Sequence, residues 1–275
     1  MGMAQKGFIY EANVAKFLKK HGMIKPGYTP AGASSDRPDL DIFYGGVEYG
    51  CELKIGLASA GSLVLKYDSK TKQYAFNPID KNDVEKIFLK GVAEKNQIST
   101  KLKNKWRKVP YLQDPRDKKW LNNYGHVPLK ERYEYDLATH PDVKIPISST
   151  TIERYYNSKK TYYLNVGTHG FYLLGAKDPM GLNKDLKARG LATIPRWKDS
   201  HKAIMRVRVQ SKGMTKAIAN EKRTKNPAGA QGYQFTFELQ FQSLTASPYN
   251  IGPVRGSSVN IIGKKAVLPF GKVPS

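Results

Sequence analysis

Apolar and polar residues alternate most cleanly near the end of the chain. From Tyr233 to Gln242, Tyr233, Phe235, Phe237, Leu239 and Phe241 interleave with Gln234, Thr236, Glu238, Gln240 and Gln242, which predicts a strand with one buried face. Ala203 to Gln210 repeats the pattern, with Met205, Val207 and Val209 on one side and Arg206 and Arg208 on the other. Leu40 to Tyr44 and Val47 to Ile55 flank Gly45-Gly46 and predict a hairpin with a two-residue turn. Leu63 to Tyr67 with Gln73 to Phe76, and Thr161 to Leu174 around Gly167 to Gly170, predict two more hairpins. Helical spacing runs from Phe8 to Lys20, where Phe8, Ala12, Val14, Ala15 and Leu18 recur before Gly22. It runs again from Asp83 to about Trp106, with Val84, Ile87, Phe88, Ile98 and Leu102. Lys25 to Pro38 is rich in turn residues. Ser247 to Ser275 is rich in Gly and Pro and is expected along the surface.

The hairpin at Gly45-Gly46 carries the candidate chemistry. A tight turn there pairs residues whose numbers sum to 91, which sets Asp39 opposite Glu52, with Lys54 two residues further on the same face. Asp41 projects from that face too, opposite Gly50, while Leu40, Ile42, Cys51, Leu53 and Ile55 form an apolar opposite face. Two carboxylates a few ångströms apart can bind Mg²⁺, a cation that takes oxygen ligands and polarises both a phosphate and a water. A lysine beside them can orient the water and offset charge in the transition state. Glu11 lies on the apolar stripe of the first helix, three residues after Phe8 and four before Ala15, and carboxylates seldom occupy such a face unless paired or metal-bound.

Composition narrows the substrate. Lys and Arg number 46 against 23 Asp and Glu, a formal charge of +23, which predicts attraction to polyanions and to nucleic acid first. The surplus is uneven: residues 1–56 hold seven basic and six acidic residues, so the remainder carries +22. No stretch of 18 apolar residues suggests a membrane span, so no membrane is expected as a partner. The single cysteine, Cys51, excludes an internal disulfide and reads as core packing, and a reducing cytoplasm is the expected compartment. The histidines His21, His126, His140, His169 and His201 show no metal-binding spacing.

Pro38-Asp39 followed by Glu52-Leu53-Lys54 resembles the motif of the PD-(D/E)xK nuclease superfamily, the restriction-endonuclease-like fold, and Glu11 matches the helical glutamate that many members carry upstream. The look is similar to phage-borne or restriction-type endonucleases. The resemblance covers about residues 7–67. It implies an α/β (α+β) core with a mixed sheet flanked by helices, Mg²⁺ dependence with Mn²⁺ able to substitute, and hydrolysis of DNA to a 5′-phosphate. The catalytic residues it implies are Asp39, Glu52, Lys54 and Glu11, with Asp39, Glu52, Asp41 and Glu11 toward the metal. Whether Asp39 or Asp41 is the principal ligand stays open.

The expected organisation is a nuclease core over residues 1–100 and a basic, strand-rich portion over 101–275 that grips double-stranded DNA, with a homodimer open as the assembly. Candidate DNA contacts are Lys101, Lys103, Lys105, Trp106 and Arg107 in the basic, aromatic stretch Lys101 to Arg132, and Arg206 and Arg208 on their strand face. In that stretch Trp106 and Trp120 are candidates to stack on bases. Rival readings of the same charge are a non-catalytic nucleic-acid-binding protein and an RNA-binding or ribosome-associated one. Restriction, homing, junction cleavage and host-DNA degradation are not separable from the sequence.

Overall fold

Gly45 and Gly46 set the register from which the first sheet grows. The computed structural model describes residues 3–28, 37–56, 59–68, 71–76, 79, 81, 83–108, 127–197, 202–210, 214–224, 235–242, 245–252 and 268–270. Both turn glycines take positive φ, 57° and 81°, as a two-residue hairpin turn requires. Strands β1 (Leu40–Tyr44) and β2 (Val47–Lys54) therefore pair from Tyr44 opposite Val47 to Leu40 opposite Cys51, the expected register. Leu40, Ile42, Cys51 and Leu53 are buried on one face, as the alternation predicts.

The chain gathers into two compact units that interleave along the sequence. One comprises Met1–Ala58, Pro146–Ala203 and Gln240–Ser275; the other comprises Ser59–Ile145 and Ile204–Leu239. Residues before and after position 100 contribute to both. The described residues form a mixed α/β protein with seven helices, a mixed four-strand sheet and a curled five-strand antiparallel half-barrel. Among them no helix is long and apolar enough to cross a membrane.

In the first unit the sheet order is β1-β2-β6-β7, where β6 is Thr161–Val166 and β7 is Gly170–Leu173. β6 runs parallel to β2, setting Leu164 beside Glu52 and Val166 beside Lys54, and β7 returns antiparallel. A parallel neighbour needs a long crossover, and this one ends in helix α5 (Ser149–Ser158), whose N-cap Ser148 accepts from the Thr151 N–H.

Helix α1 (Met3–Lys20) covers the sheet's apolar face. Its buried stripe is Tyr10, Val14 and Leu18, whereas Phe8 is 47% exposed and Ala12 is exposed. The expected stripe is thus rotated toward Tyr10, because the Tyr10 hydroxyl finds a buried partner, accepting from Asn165 Nδ2 at 2.6 Å.

The described part of the C-terminal stretch does not lie along the surface. Ser247, Tyr249, Asn250 and Ile251 are buried. The Phe171 N–H donates to the Tyr249 carbonyl, and Asn250 donates to the Gly167 carbonyl and accepts from Asn165. These side-chain bonds let a polar loop enter a core without orphaned groups. The entry requires Gly170, since a Cβ there would stand 2.3 Å from the Tyr249 carbonyl oxygen.

In the second unit the order is β4-β3-β9-β8-β5, with β3 Ser59–Asp68, β4 Gln73–Phe76, β5 Val143–Ile147, β8 Lys202–Val209 and β9 Phe235–Gln242. Phe235, Phe237 and Leu239 of β9 and Met205, Val207 and Val209 of β8 are buried, as their alternation predicts. The expected helix from Asp83 to Trp106 is two: α2 (Val84–Lys95), capped by Asp83, and α3 (Ile98–Lys105). Gln97 takes φ 52°, a left-handed conformation that stops the first helix. Helices α4 (Leu129–Thr139), α6 (Leu182–Ala188) and α7 (Met214–Thr224) complete the elements.

Gly170 also has φ +113°, so Gly170→Ala combines backbone strain with a clash. The substitution should cost at least about 2 kcal/mol, read as a lower denaturant midpoint with an unchanged slope. An unchanged midpoint would contradict the packing of residues 247–252 against β7.

Candidate active site

Asp39 immediately precedes β1, and its side chain reaches across to β2. Oδ2 accepts from the Leu53 backbone N–H at 2.9 Å and from Lys54 Nζ at 3.2 Å. Lys54 Nζ also donates to Glu52 Oε1 at 2.5 Å. One ammonium thus bridges two carboxylates drawn from the two strands of the hairpin, the juxtaposition that the register predicts. Glu52 is 2% exposed. Burial so deep is costly for a carboxylate unless opposite charge is at hand. Burial first, then the Asp39 charge, raises the Glu52 pKa, opposed by Lys54 and Lys159. Burial pulls the Lys54 pKa down, but the two carboxylates together outweigh it and the net shift is upward.

Glu11 enters this field from α1. It is half-buried, and burial first, then the Asp39 and Glu52 charges, lift its pKa to about 7 against the pull of Lys54. Asp41 is placed differently. Burial and Glu48 raise its pKa while Arg37 and Lys25 lower it, so its electrostatic neighbours are not those of Glu52. The structure gathers Asp39, Glu52 and Lys54, brings Glu11 within reach of their charges, and sets Asp41 in a cleft with Arg37 and Glu48.

A second lysine was not expected. Lys159, at the C-cap of α5, brings Nζ to 4.0 Å from Glu52 Oε2, its side chain only 6% exposed. Its position follows from the parallel pairing of β2 with β6, a long-range contact without local sequence signal. Gly50 is the accommodation: a Cβ there would lie 2.6 Å from the Lys160 carbonyl oxygen.

Cys51 is fully buried on the apolar side, in keeping with packing. The expected DNA contacts lie elsewhere. Lys101, Lys103, Lys105 and Arg107 are exposed in the second unit. Trp106 is 3% exposed, its ring packed against Tyr74, His140 and Phe235 and its Nε1 donating to the Pro141 carbonyl at 2.8 Å. The expectation that it stacks on bases is therefore corrected: the indole N–H found a buried acceptor and the ring became core. Arg206 and Arg208 both pair with Glu238, at 2.7 and 3.6 Å, and Arg206 also with Asp142 at 3.7 Å. They form an ion network on the sheet rather than a row of unpaired phosphate ligands. Trp120 lies outside the described residues.

Among the described residues no group of three or more His, Cys, Asp or Glu is arranged to hold a metal. Two carboxylates suffice for Mg²⁺, which keeps waters and takes substrate oxygens for its remaining positions. Glu52 Oε2 is buried without a hydrogen-bond partner, with Lys159 Nζ 4.0 Å away, and an oxygen so placed fits a cation ligand. Compared with protein-family models, curated proteins and solved structures, the chain matches none.

The raised Glu11 pKa makes a stability prediction for the protein in EDTA. Below about pH 4.5 the folded and unfolded states both hold the proton. Between there and about pH 7 only the folded state does, so stability falls as pH rises through that window. Glu11→Gln lacks this loss. It should be more stable than wild type at pH 8, with the advantage gone by pH 4, in paired denaturant titrations. A variant less stable at pH 8 would contradict the placement of Glu11 beside the two carboxylates.

Proposed function

We propose that the chain is a metal-dependent DNA endonuclease with a restriction-endonuclease-like core. The observation that carries this reading is the Lys54 ammonium held between Asp39 and Glu52 on one face of a hairpin whose other face is core. The same residues form the PD-(D/E)xK pattern, and a mixed sheet with α1 packed on it is compatible with the α/β core that pattern implies. The excess of 22 positive charges after residue 56 suits a polyanionic substrate, here double-stranded DNA.

In this reading Asp39 and Glu52 would hold Mg²⁺, with Mn²⁺ able to replace it, and Glu11 would support the site from α1. Asp39 would be the principal ligand rather than Asp41, since the Leu53 N–H and Lys54 hold its carboxylate beside Glu52. When bound, the metal polarises the phosphate and lowers the pKa of a water. The chain's own work is positional and electrostatic. Asp39 and Glu52 fix two oxygens by their attachment to adjacent strands. Lys54 stays charged because both carboxylates favour its ammonium form, so it orients the attacking water and offsets negative charge on the phosphoryl oxygens. The buried floor beneath Glu52 limits the water that competes for these groups.

Supercoiled plasmid incubated with Mg²⁺ or Mn²⁺ should be nicked or linearised, and EDTA should abolish it. Asp39→Ala and Glu52→Gln should lose several orders of magnitude, Lys54→Ala roughly 10²–10³, and Asp41→Asn far less than Asp39→Asn. Undiminished cleavage in EDTA would refute the metal mechanism. Absence of cleavage of any DNA would favour a non-catalytic nucleic-acid-binding protein.

A further inference from the structure

The carboxyl ends of β2 and β6, the parallel pair of the first sheet, lie side by side. Ligands of open α/β sheets gather at such ends. β2 ends on Lys54, and the turn that follows β6 is stitched to the chain there. The Gly167 N–H donates to the Lys54 carbonyl at 2.8 Å and the Thr168 N–H to the Ile55 carbonyl at 3.2 Å. Val166 pairs with Lys54, and Gly167 faces α1, where a Cβ would stand 3.1 Å from the Tyr10 hydroxyl. Thr168, the next residue, is exposed. Residue 56 is glycine, and a Cβ there would lie 3.7 Å from Thr168 Oγ1, so the ground between this hydroxyl and the end of β2 carries no side chain from that position.

The turn is held from three directions. The His169 N–H donates to the Val166 carbonyl at 2.9 Å, which closes the turn on β6. The His169 carbonyl accepts from the Ser247 N–H at 2.7 Å and from the Tyr172 hydroxyl of β7 at 3.0 Å. The Gly167 carbonyl accepts from Asn250 Nδ2 at 3.0 Å. On this fixed backbone Thr168 Oγ1 and His169 Nδ1 stand 2.7 Å apart. A hydroxyl has one proton to give and two lone pairs. With Nδ1–H donating to Oγ1, the Thr168 proton is left to point outward, and a threonine hydroxyl held in one direction is a common partner of phosphate oxygens.

We propose that Thr168 is a DNA-backbone contact, its hydroxyl donating to a phosphate oxygen at the carboxyl ends of β2 and β6, and that His169 is the positioning residue that aims this hydroxyl. The proposal rests on the nuclease reading of Asp39, Glu52 and Lys54 and deepens it, by stating which group beyond Lys54 meets the strand being cut. The backbone bonds to Lys54 and Ile55 tie the donor to the strand that bears the candidate chemistry, so a phosphate held by it is placed relative to Lys54. The donor is neutral. It therefore adds affinity and register without releasing a counterion, unlike a lysine or arginine contact.

The test uses the full chain and a duplex oligonucleotide, with binding measured in Ca²⁺ over a range of salt and steady-state cleavage in Mg²⁺. Thr168→Val removes the hydroxyl and keeps the shape of an exposed side chain; Thr168→Ser keeps the hydroxyl. Thr168→Val should weaken binding about tenfold, with the slope of log affinity against log salt unchanged, and its loss in cleavage should fall on KM more than on kcat. Thr168→Ser should restore wild-type binding. His169→Phe keeps a ring and removes Nδ1; it should weaken binding by a similar factor, and adding it to Thr168→Val should cost nothing more, because the two act as one unit. Wild-type affinity in Thr168→Val, or a Thr168→Ser variant as weak as Thr168→Val, would overturn the contact. Additive losses in the double variant would overturn the positioning role of His169. If wild type binds duplex but cleaves nothing in Mg²⁺ or Mn²⁺, the nuclease reading fails, while the binding measurements still decide the contact; a wild type that binds no duplex overturns both.

Discussion

A carboxylate buried to 2% exposure is the constraint on which the first unit turns. Glu52 sits on a strand paired on both sides, so neither backbone movement nor solvent can relieve its charge, and the surroundings must supply cations. Lys54 comes from the same strand, two residues on. Lys159 comes from a turn more than a hundred positions later in sequence, delivered by the parallel pairing of β6. Asp39 shares Lys54 with Glu52 and is itself aimed by a backbone N–H of β2. Glu11 is half-buried beside them, and burial first, then the charges of Asp39 and Glu52, raise its pKa to about 7.

The scaffold around these groups is built from features of equal necessity. Gly45 and Gly46 fix the register, and a one-residue slip would exchange the charged face for the apolar one. Gly50 lets the Lys159–Lys160 turn close on β2. The buried network of Tyr10, Asn165 and Asn250 ties α1, β6 and the segment after residue 245 together. Through α1 it also sets the height at which Glu11 meets the sheet. Polar groups in this core are satisfied by one another, which favours one arrangement over its alternatives.

What was legible in the sequence was local. The hairpin, its register and the shared face of Asp39, Glu52 and Lys54 follow from a glycine pair and a period of two. The alternation of β8 and β9 likewise gave their buried faces. What was not legible depends on contacts far apart along the chain. Nothing near Lys159 announces Glu52, because only the parallel pairing of β6 with β2 brings them together. Hydrophobicity alone ranks Phe above Tyr and sets the stripe of the first helix on Phe8, yet Tyr10 finds a buried amide. Trp106 looked like a base-stacking residue among lysines, but exposure of the neighbours says little about a residue on the opposite side of its turn. Arg206 and Arg208 alternate as expected, and Glu238, itself an outward position of β9, lies within reach of both.

Lys54 Nζ is paired with both carboxylates, at Asp39 Oδ2 and Glu52 Oε1, so its ammonium and a metal would compete for their negative charge. Direct titration of Mn²⁺ into the metal-free protein, followed by the loss of the free-ion paramagnetic resonance signal, tests whether these two carboxylates form a metal site. Wild type should remove Mn²⁺ from the free pool, Lys54→Ala should do so more tightly, and Asp39→Ala and Glu52→Gln should lose the site. Equal Mn²⁺ binding by wild type and both carboxylate variants, all folded, would contradict it.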